Sequence, residues 1–223
     1  MTLEKMHIAV NIGVQQVASH VNRGLEPREV DYFLNRNILL FVKQRFSEFE
    51  KSSKRIQDLK NLVVEETVSA YYGDKRQGFF YDIIPFPTDY FLLVGQYCNI
   101  VTSQSSITVG DNQKRIGTAL DYQPRVKWIE QDDISETLFN PFSKPRTDLL
   151  IGTIYDEGFR VFTPATIAVD SMFFTYLKKP IEVNYTDAPE VSCDLNESVH
   201  DEIIDMTVKD ILLTWNKLQQ PTQ

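Results

Sequence analysis

The sequence predicts an α+β protein: N- and C-terminal helices forming a bundle, with a large antiparallel β-domain inserted between them. Two observations carry this. Apolar residues recur at spacings of three and four in residues 1–63 and again near the C-terminal end, the period of a one-sided helix. Between these stretches lies a block of aromatic and β-branched runs separated by Gly, Pro, Asn and Asp, the pattern of strands and turns. The expected division is 1–63 for the opening helices, 64–186 for the β-domain, and 187–223 for the closing helix and tail.

The elements follow in order. Met6, Val10, Gly13, Val14, Val17 and Val21 fall on one face of a first helix, with a stop at Asn22, Arg23 and Gly24. The second helix opens at Pro27, whose missing N–H has no partner to lose at a first helical position. Glu29 and Asp31 favour its dipole, and Val30, Leu34, Ile38, Phe41, Val42, Phe46 and Phe49 form its apolar stripe. At about 23 residues it is roughly 35 Å long and needs partners to cover that stripe. Ser52 and Ser53 precede a short third helix through Ile56, Leu59, Leu62 and Val63.

Strands are expected at 68–72, 79–84, 90–101, 106–109, 125–130, 149–155, 159–163 and 166–178. Gly110, Asp111 and Asn112 form one turn, and Asp156, Glu157 and Gly158 close a hairpin. After a linker with Pro189, Asn196 is an N-cap, and Ile203, Met206, Thr207, Asp210 and Ile211 continue at helical spacing. A polar tail follows from Gln219.

Composition narrows the function classes. Of the 223 residues 42% are hydrophobic, enough for a core, and the 14 Phe and 10 Tyr favour sheets and contact-rich surfaces. A net charge of -8 disfavours tight binding to phosphate backbones. Cys98 and Cys193 match neither a disulfide framework nor a zinc motif. The first 21 residues resemble no targeting peptide, and no apolar run approaches the roughly 18 residues of a membrane span. A chain made in a reducing cytoplasm is the expectation.

Chemistry-bearing motifs are sparse. No P-loop, nucleophile elbow or zincin motif occurs. His7 and His20 lie too far apart on one helix to share a metal. His200 sits beside Asp201 and Glu202, a cluster better explained by the dipole of a helix start than by a cation. Asp132 and Asp133 suit capping of residues 134–139 better than acid–base or metal chemistry. Gly73 and Gly78 bracket Asp74, Lys75 and Arg76, which suits a solvated hairpin tip better than a phosphate site. Phe79, Phe80 and Tyr81, and the pair Phe173 and Phe174, suit alternating burial in a sheet plus a subunit interface, against a stacking platform for glycans or bases.

Charge is uneven. Residues 1–80 hold 12 basic and 10 acidic side chains, whereas 187–210 hold eight acids against Lys209. Lys43, Arg45, Lys51, Lys54, Arg55 and Lys60 gather near the end of the second helix. Such runs are either solvated faces or the two complementary ends of a subunit that meets its neighbours in register; both readings stand.

Six segments, in order, carry a family resemblance. PREVDYFLNRNILLFVKQRF (27–46) resembles the family's second helix, and KRIQDLKNLV (54–63) its lead into the sheet. IPFPTDYFLLVGQYCNI (84–100) is similar to a Leu-Pro-x-Asp-Tyr strand with Phe86 in place of Leu. DDISETLFNPFSKP (132–145) resembles a turn ending in Asn-Pro-Phe, and FFTYLKKPIEV (173–183) a Tyr-Ile-x-Lys-Pro strand end. CDLNESVHDEIIDMTVKDIL (193–212) resembles a closing helix that begins Leu-Pro-Glu, with Asn196 in place of Pro. The family is the phage neck proteins: ring or adaptor proteins of crAss-like phages and tail-tube adaptors of short-tailed phages.

The resemblance implies a non-enzymatic virion subunit that needs no cofactor or metal. It implies a ring of about a dozen copies between portal and tail, assembled in the host cytoplasm without membrane contact. Portal and other neck or tail rings would be its partners. DNA would slide through the lumen past an acidic wall of Asp201, Glu202 and Asp205 without specific binding. Lys43, Arg45, Lys51, Lys54 and Arg55 would face a neighbour, and Gln219, Gln220, Pro221, Thr222 and Gln223 would dock on an adjacent ring. Two alternatives stand beside it: a tail-associated module that binds a glycan or receptor, and a metal-assisted hydrolase using Asp132, Asp133 or His200.

Overall fold

The computed structural model describes residues 1–17, 24–49, 56–76, 78–102, 105–109, 112–156, 158–186 and 190–219. The chain is α+β with helices at both ends, as its sequence predicts. It divides into two compact units: Met1–Val63 with Lys179–Gln223, and Val64–Lys178.

The helical unit comprises α1 (Leu3–Val17), α2 (Pro27–Phe49), α3 (Ile56–Leu59) followed by a 3-10 turn (Lys60–Leu62), and α5 (His200–Gln219). Both α1 and α2 pack against α5. Their stripes supply the core: Leu3, Met6, Val10 and Val14 from α1, Val30, Leu34, Ile38, Phe41 and Val42 from α2, Ile203, Ile204 and Ile211 from α5. Gly13 permits the close approach of α1 and α5, since a Cβ there would lie 2.8 Å from Val208 Cγ2. Asn196 accepts from the Ser198 N–H at 3.2 Å, the cap its sequence position predicts. Val21, the expected stop at Asn22 and Arg23, the expected caps Ser52 and Ser53, and His20 lie outside the described residues.

Residues 179–186, expected to belong to the β-domain, join the helical unit instead. The reason is a pair of clasps from α2. Asn35 donates to the Val183 carbonyl (3.0 Å) and accepts from its N–H (2.8 Å), copying a strand pairing with one side chain. Asp31 Oδ2 accepts from the Tyr185 N–H at 3.2 Å. These polar contacts leave no periodic trace in sequence.

The β unit contains β1 (Val63–Ser69), β2 (Tyr71–Arg76), β3 (Phe79–Pro85), β4 (Tyr90–Thr102), β5 (Ser105–Val109), β6 (Asn112–Ile116), β7 (Arg125–Trp128), β8 (Leu149–Tyr155), β9 (Gly158–Thr163) and β10 (Ile167–Lys178). One sheet has the order β1-β10-β4, another β2-β3-β9-β8-β7, and β5 and β6 form a ribbon. Alternate residues of both larger sheets share one core: Ile84, Cys98, Ile100, Phe159, Val161, Met172, Phe174 and Tyr176. On the far side of Ile151 and Phe162 lies α4 (Ile134–Phe139), which buries Ile134 and Leu138.

The expectation of a purely antiparallel domain is corrected at β7 and β8, which run parallel, with Arg125 opposite Leu149 and Trp128 opposite Gly152. Parallel neighbours need a crossover, and α4 supplies it. Asp74, Lys75 and Arg76 likewise belong to β2, paired with Tyr81, Phe80 and Phe79, rather than to a hairpin tip.

Two local features fix the stacking. Register slips between Val169 and Ser171 in β10, and there the buried Asp82 of β3 accepts from the Val169 N–H at 2.9 Å. A carboxylate from one sheet thus bonds the backbone of the other beside the irregularity. Gly158 has φ 154°, and a Cβ on it would stand 2.1 Å from the Ile84 carbonyl oxygen.

Candidate functional site

In the helical unit, the basic and acidic clusters meet within a single chain. Arg45 bridges α2, α3 and α5: Nη2 lies 2.5 Å from Glu202 Oε2, Nε lies 3.5 Å from Asp58 Oδ2, and the guanidinium covers the Phe41 ring at 5.0 Å. Arg36 similarly reaches Asp210 at 3.5 Å. Part of the charge asymmetry legible in sequence is therefore used to hold α5 against α2. Lys43, Asp201 and Asp205 are exposed at the surface. Lys51, Lys54, Arg55, Gln220, Pro221, Thr222 and Gln223 lie outside the described residues, and Gln219 ends α5.

The described histidines are buried structural groups. His7 Nε2 is 2.9 Å from Asp31 Oδ1, and its ring stacks on Tyr185 with centroids 4.6 Å apart. Sequence spacing missed this junction because its members lie on α1, α2 and the returning segment. His200 Nε2 lies 3.2 Å from the Leu195 carbonyl, and its Nδ1 is buried without a hydrogen-bond partner. Burial holds this imidazole below its ordinary pKa, outweighing the hydrogen bond to Leu195. Protonation would place an unpaired N–H in the core.

A pH dependence follows. The unfolded chain takes up this proton near pH 6.5, whereas the folded chain resists it to a lower pH. Stability from the neutral ring is therefore whole above the unfolded value and is lost as pH falls through the folded one. Urea midpoints at about pH 7.5 and about pH 5.5 are expected to fall on acidification, and the fall to be smaller in His200→Gln. An equal fall in both proteins removes His200 as its source.

In the β unit, Asp133 precedes α4 but its side chain makes no capping hydrogen bond, contrary to the capping expectation. Asp132 and Asp133 are exposed, and among the described residues no group of three or more His, Cys, Asp or Glu is arranged to hold a metal. The aromatic runs alternate in burial: Phe174 stacks on Phe159 in the core at 5.1 Å, while Phe173 stacks on Tyr97 at 4.7 Å. Cys98 and Cys193 are both free, and burial, ahead of the nearby Asp82, pushes the Cys98 thiol up to about 12. That thiol stays protonated at neutral pH.

The most distinctive surface lies around α4 and the end of β7. Trp128, Ile129, Thr153 and Ile154 line a largely apolar cleft of about 400 Å³. A polar cleft of about 530 Å³ adjoins it across Trp128, Ile129 and Glu130, bordered by Asp133, Glu136 and Asn140. Just beyond, Phe139 and Phe142 are 73% and 88% exposed. The turn that carries them is tightly bonded. Asn140 Oδ1 accepts from the Phe142 N–H (3.0 Å), its carbonyl accepts from Ser143 and Lys144, and Ser143 Oγ donates to the Thr137 carbonyl (3.2 Å). Sequence inspection singled out this Asn-Pro-Phe turn only through the family resemblance; nothing in its spacing announces exposure.

No protein-family model matches the chain, and no curated protein matches it. Among the described residues no helix is long and apolar enough to cross a membrane.

Proposed function

We propose that this chain is a non-catalytic structural subunit of a bacteriophage neck, assembling with copies of itself into a ring between portal and tail through which DNA passes. The observation that carries this reading is large apolar side chains held in solvent by ordered elements. Ile8, Ile12 and Val17 are exposed on α1, Leu213 on α5, Phe139 at the end of α4 and Phe142 just after it. Apolar surface presented by regular structure suits protein contacts, and its presence in both units suits a subunit with several neighbours. The ordered resemblance to neck ring and adaptor proteins supplies the assembly. In it, Asp201 and Asp205 line the lumen, where like charge keeps DNA from sticking. Lys43 faces a neighbouring copy, and the C-terminal tail, 219–223, reaches the adjacent ring.

Gold-labelled antibodies raised against the chain test this on intact particles of the phage that encodes it. Label at the head-to-tail junction is expected; label at fibre tips, or none on particles, overturns the reading. Label at fibre tips would instead favour a receptor-binding module, for which the stacked Tyr97 and Phe173 provide an aromatic surface.

A further inference from the structure

The β unit carries an apolar projection and an apolar recess within one short stretch of chain, and we propose that the Phe139–Phe142 projection of one copy seats in the Trp128–Ile154 cleft of a second copy. This contact rests on the self-assembling reading above and gives it a specific joint.

Three observations converge on a second copy as the occupant. Phe142 is 88% exposed on a turn tied down by the Asn140 side chain and carbonyl and by the Ser143 hydroxyl, so the segment that presents the ring is ordered before any partner arrives. Pre-ordering of this kind lowers the entropy lost on docking. The apolar cleft is open, and Ile154 at its edge is 56% exposed. Charge is also complementary. Lys144, exposed, follows the projection, whereas Glu130 borders both clefts and Asp133 and Glu136 border the polar one. A Phe entering the recess thus brings a cation towards a neighbour's acids. Those acids and the net charge of -8 argue against an anionic bilayer as the occupant.

Magnitude sets the expected behaviour. Two Phe rings bury about 150–250 Å² each, well below the roughly 800 Å² per partner of a stable complex. One such joint is weak, and ring closure or a portal template multiplies it by holding neighbours at high effective concentration.

Sedimentation of the full chain up to about 1 mM tests the joint directly. The wild type is expected to associate as concentration rises. Phe142→Asp and Ile154→Arg, both at exposed positions and checked for unchanged circular dichroism, are each expected to weaken association at least about tenfold. An equimolar mixture of the two variants retains one intact projection and one intact recess and is expected to recover association as pairs. A wild type that stays monomeric, a variant that associates as well as wild type, or a mixture that fails to recover overturns the proposal. So does a Phe142→Asp effect confined to binding of anionic phospholipid vesicles. Gold at the neck together with any of these results would sink this joint while leaving the neck reading in place.

Discussion

Gly158→Ala is expected to destabilise the β unit by about 3–5 kcal/mol, enough to remove much of the stability of an ordinary domain. The new methyl would stand 2.1 Å from the Ile84 carbonyl oxygen and 2.8 Å from Pro85 Cα, both backbone atoms. Neither can retreat cheaply, because Pro85 pairs with Gly158 and Ile84 with Phe159 in the β3–β9 ladder. The φ of 154° adds strain for any residue with a Cβ. Gly24→Ala is the matched control: nothing lies within 4 Å of a Cβ there, and the change is expected to stay within about 0.5 kcal/mol. Urea titrations of both variants decide the matter, and equal midpoints would show that the hairpin accommodates the methyl.

Phe159→Ala is expected to cost a similar about 3–5 kcal/mol for a different reason. Its ring is fully buried and central to an aromatic cluster, with centroids 4.8 Å from Phe86, 5.0 Å from Trp128 and 5.1 Å from Phe174. Truncation leaves a cavity that rigid rings fill poorly, whereas Phe159→Leu keeps most of the volume and is expected to cost clearly less. The two tryptophans allow the units to be followed separately, since Trp128 belongs to the β unit and Trp215 to the helical unit. In a Trp215→Phe background the remaining fluorescence reports the damaged core alone. Retention of the wild-type midpoint in Phe159→Ala would remove this ring from the centre of the fold's stability. The adjacent Gly158 and Phe159 changes act on one ladder, and their costs should not simply add.

Much of the architecture was legible in sequence because it rests on periodicity. The stripe Val30, Leu34, Ile38, Phe41 and Val42 is the buried face of α2, and Asn196 caps the closing helix. The runs that became β8, β9 and β10 were bounded by turn residues close to their observed ends. What escaped depends on partners. Asn112–Ile116 is too polar to read as a strand, yet it pairs with β5 in regular register. Val63–Ser69 was absorbed into the tail of the third helix and the start of one strand because its first valines also continue a helical stripe. The six residues of α4 are too few to display a period, so the parallel crossover it creates was invisible.

Polar groups misled more than apolar ones. Nothing in the sequence marks Asp82, yet it is buried and accepts from the Val169 N–H beside the register slip of β10. His7 and Asp31 meet across two helices, and Asn35 recognises a backbone segment 148 residues away. Of the candidate surface residues, Arg45 and Glu202 turned out to face each other within the chain. The phenylalanines beside the apolar cleft entered only through the resemblance of 132–145 to a family turn, and the cleft itself left no trace in the sequence.

The discontinuity of the helical unit has a consequence during synthesis. Helices α1 and α2 leave the ribosome roughly 150 residues before the buried face of α5 exists, a delay of about 10–30 s at the usual pace of translation. Throughout that interval the nascent chain displays greasy flanks meant for a segment not yet made, while the intervening strands have time to pair first. The order of synthesis thus gives the middle of the chain the first opportunity to fold, and anything that slows elongation after Lys178 lengthens the window for capture by chaperones or sister chains.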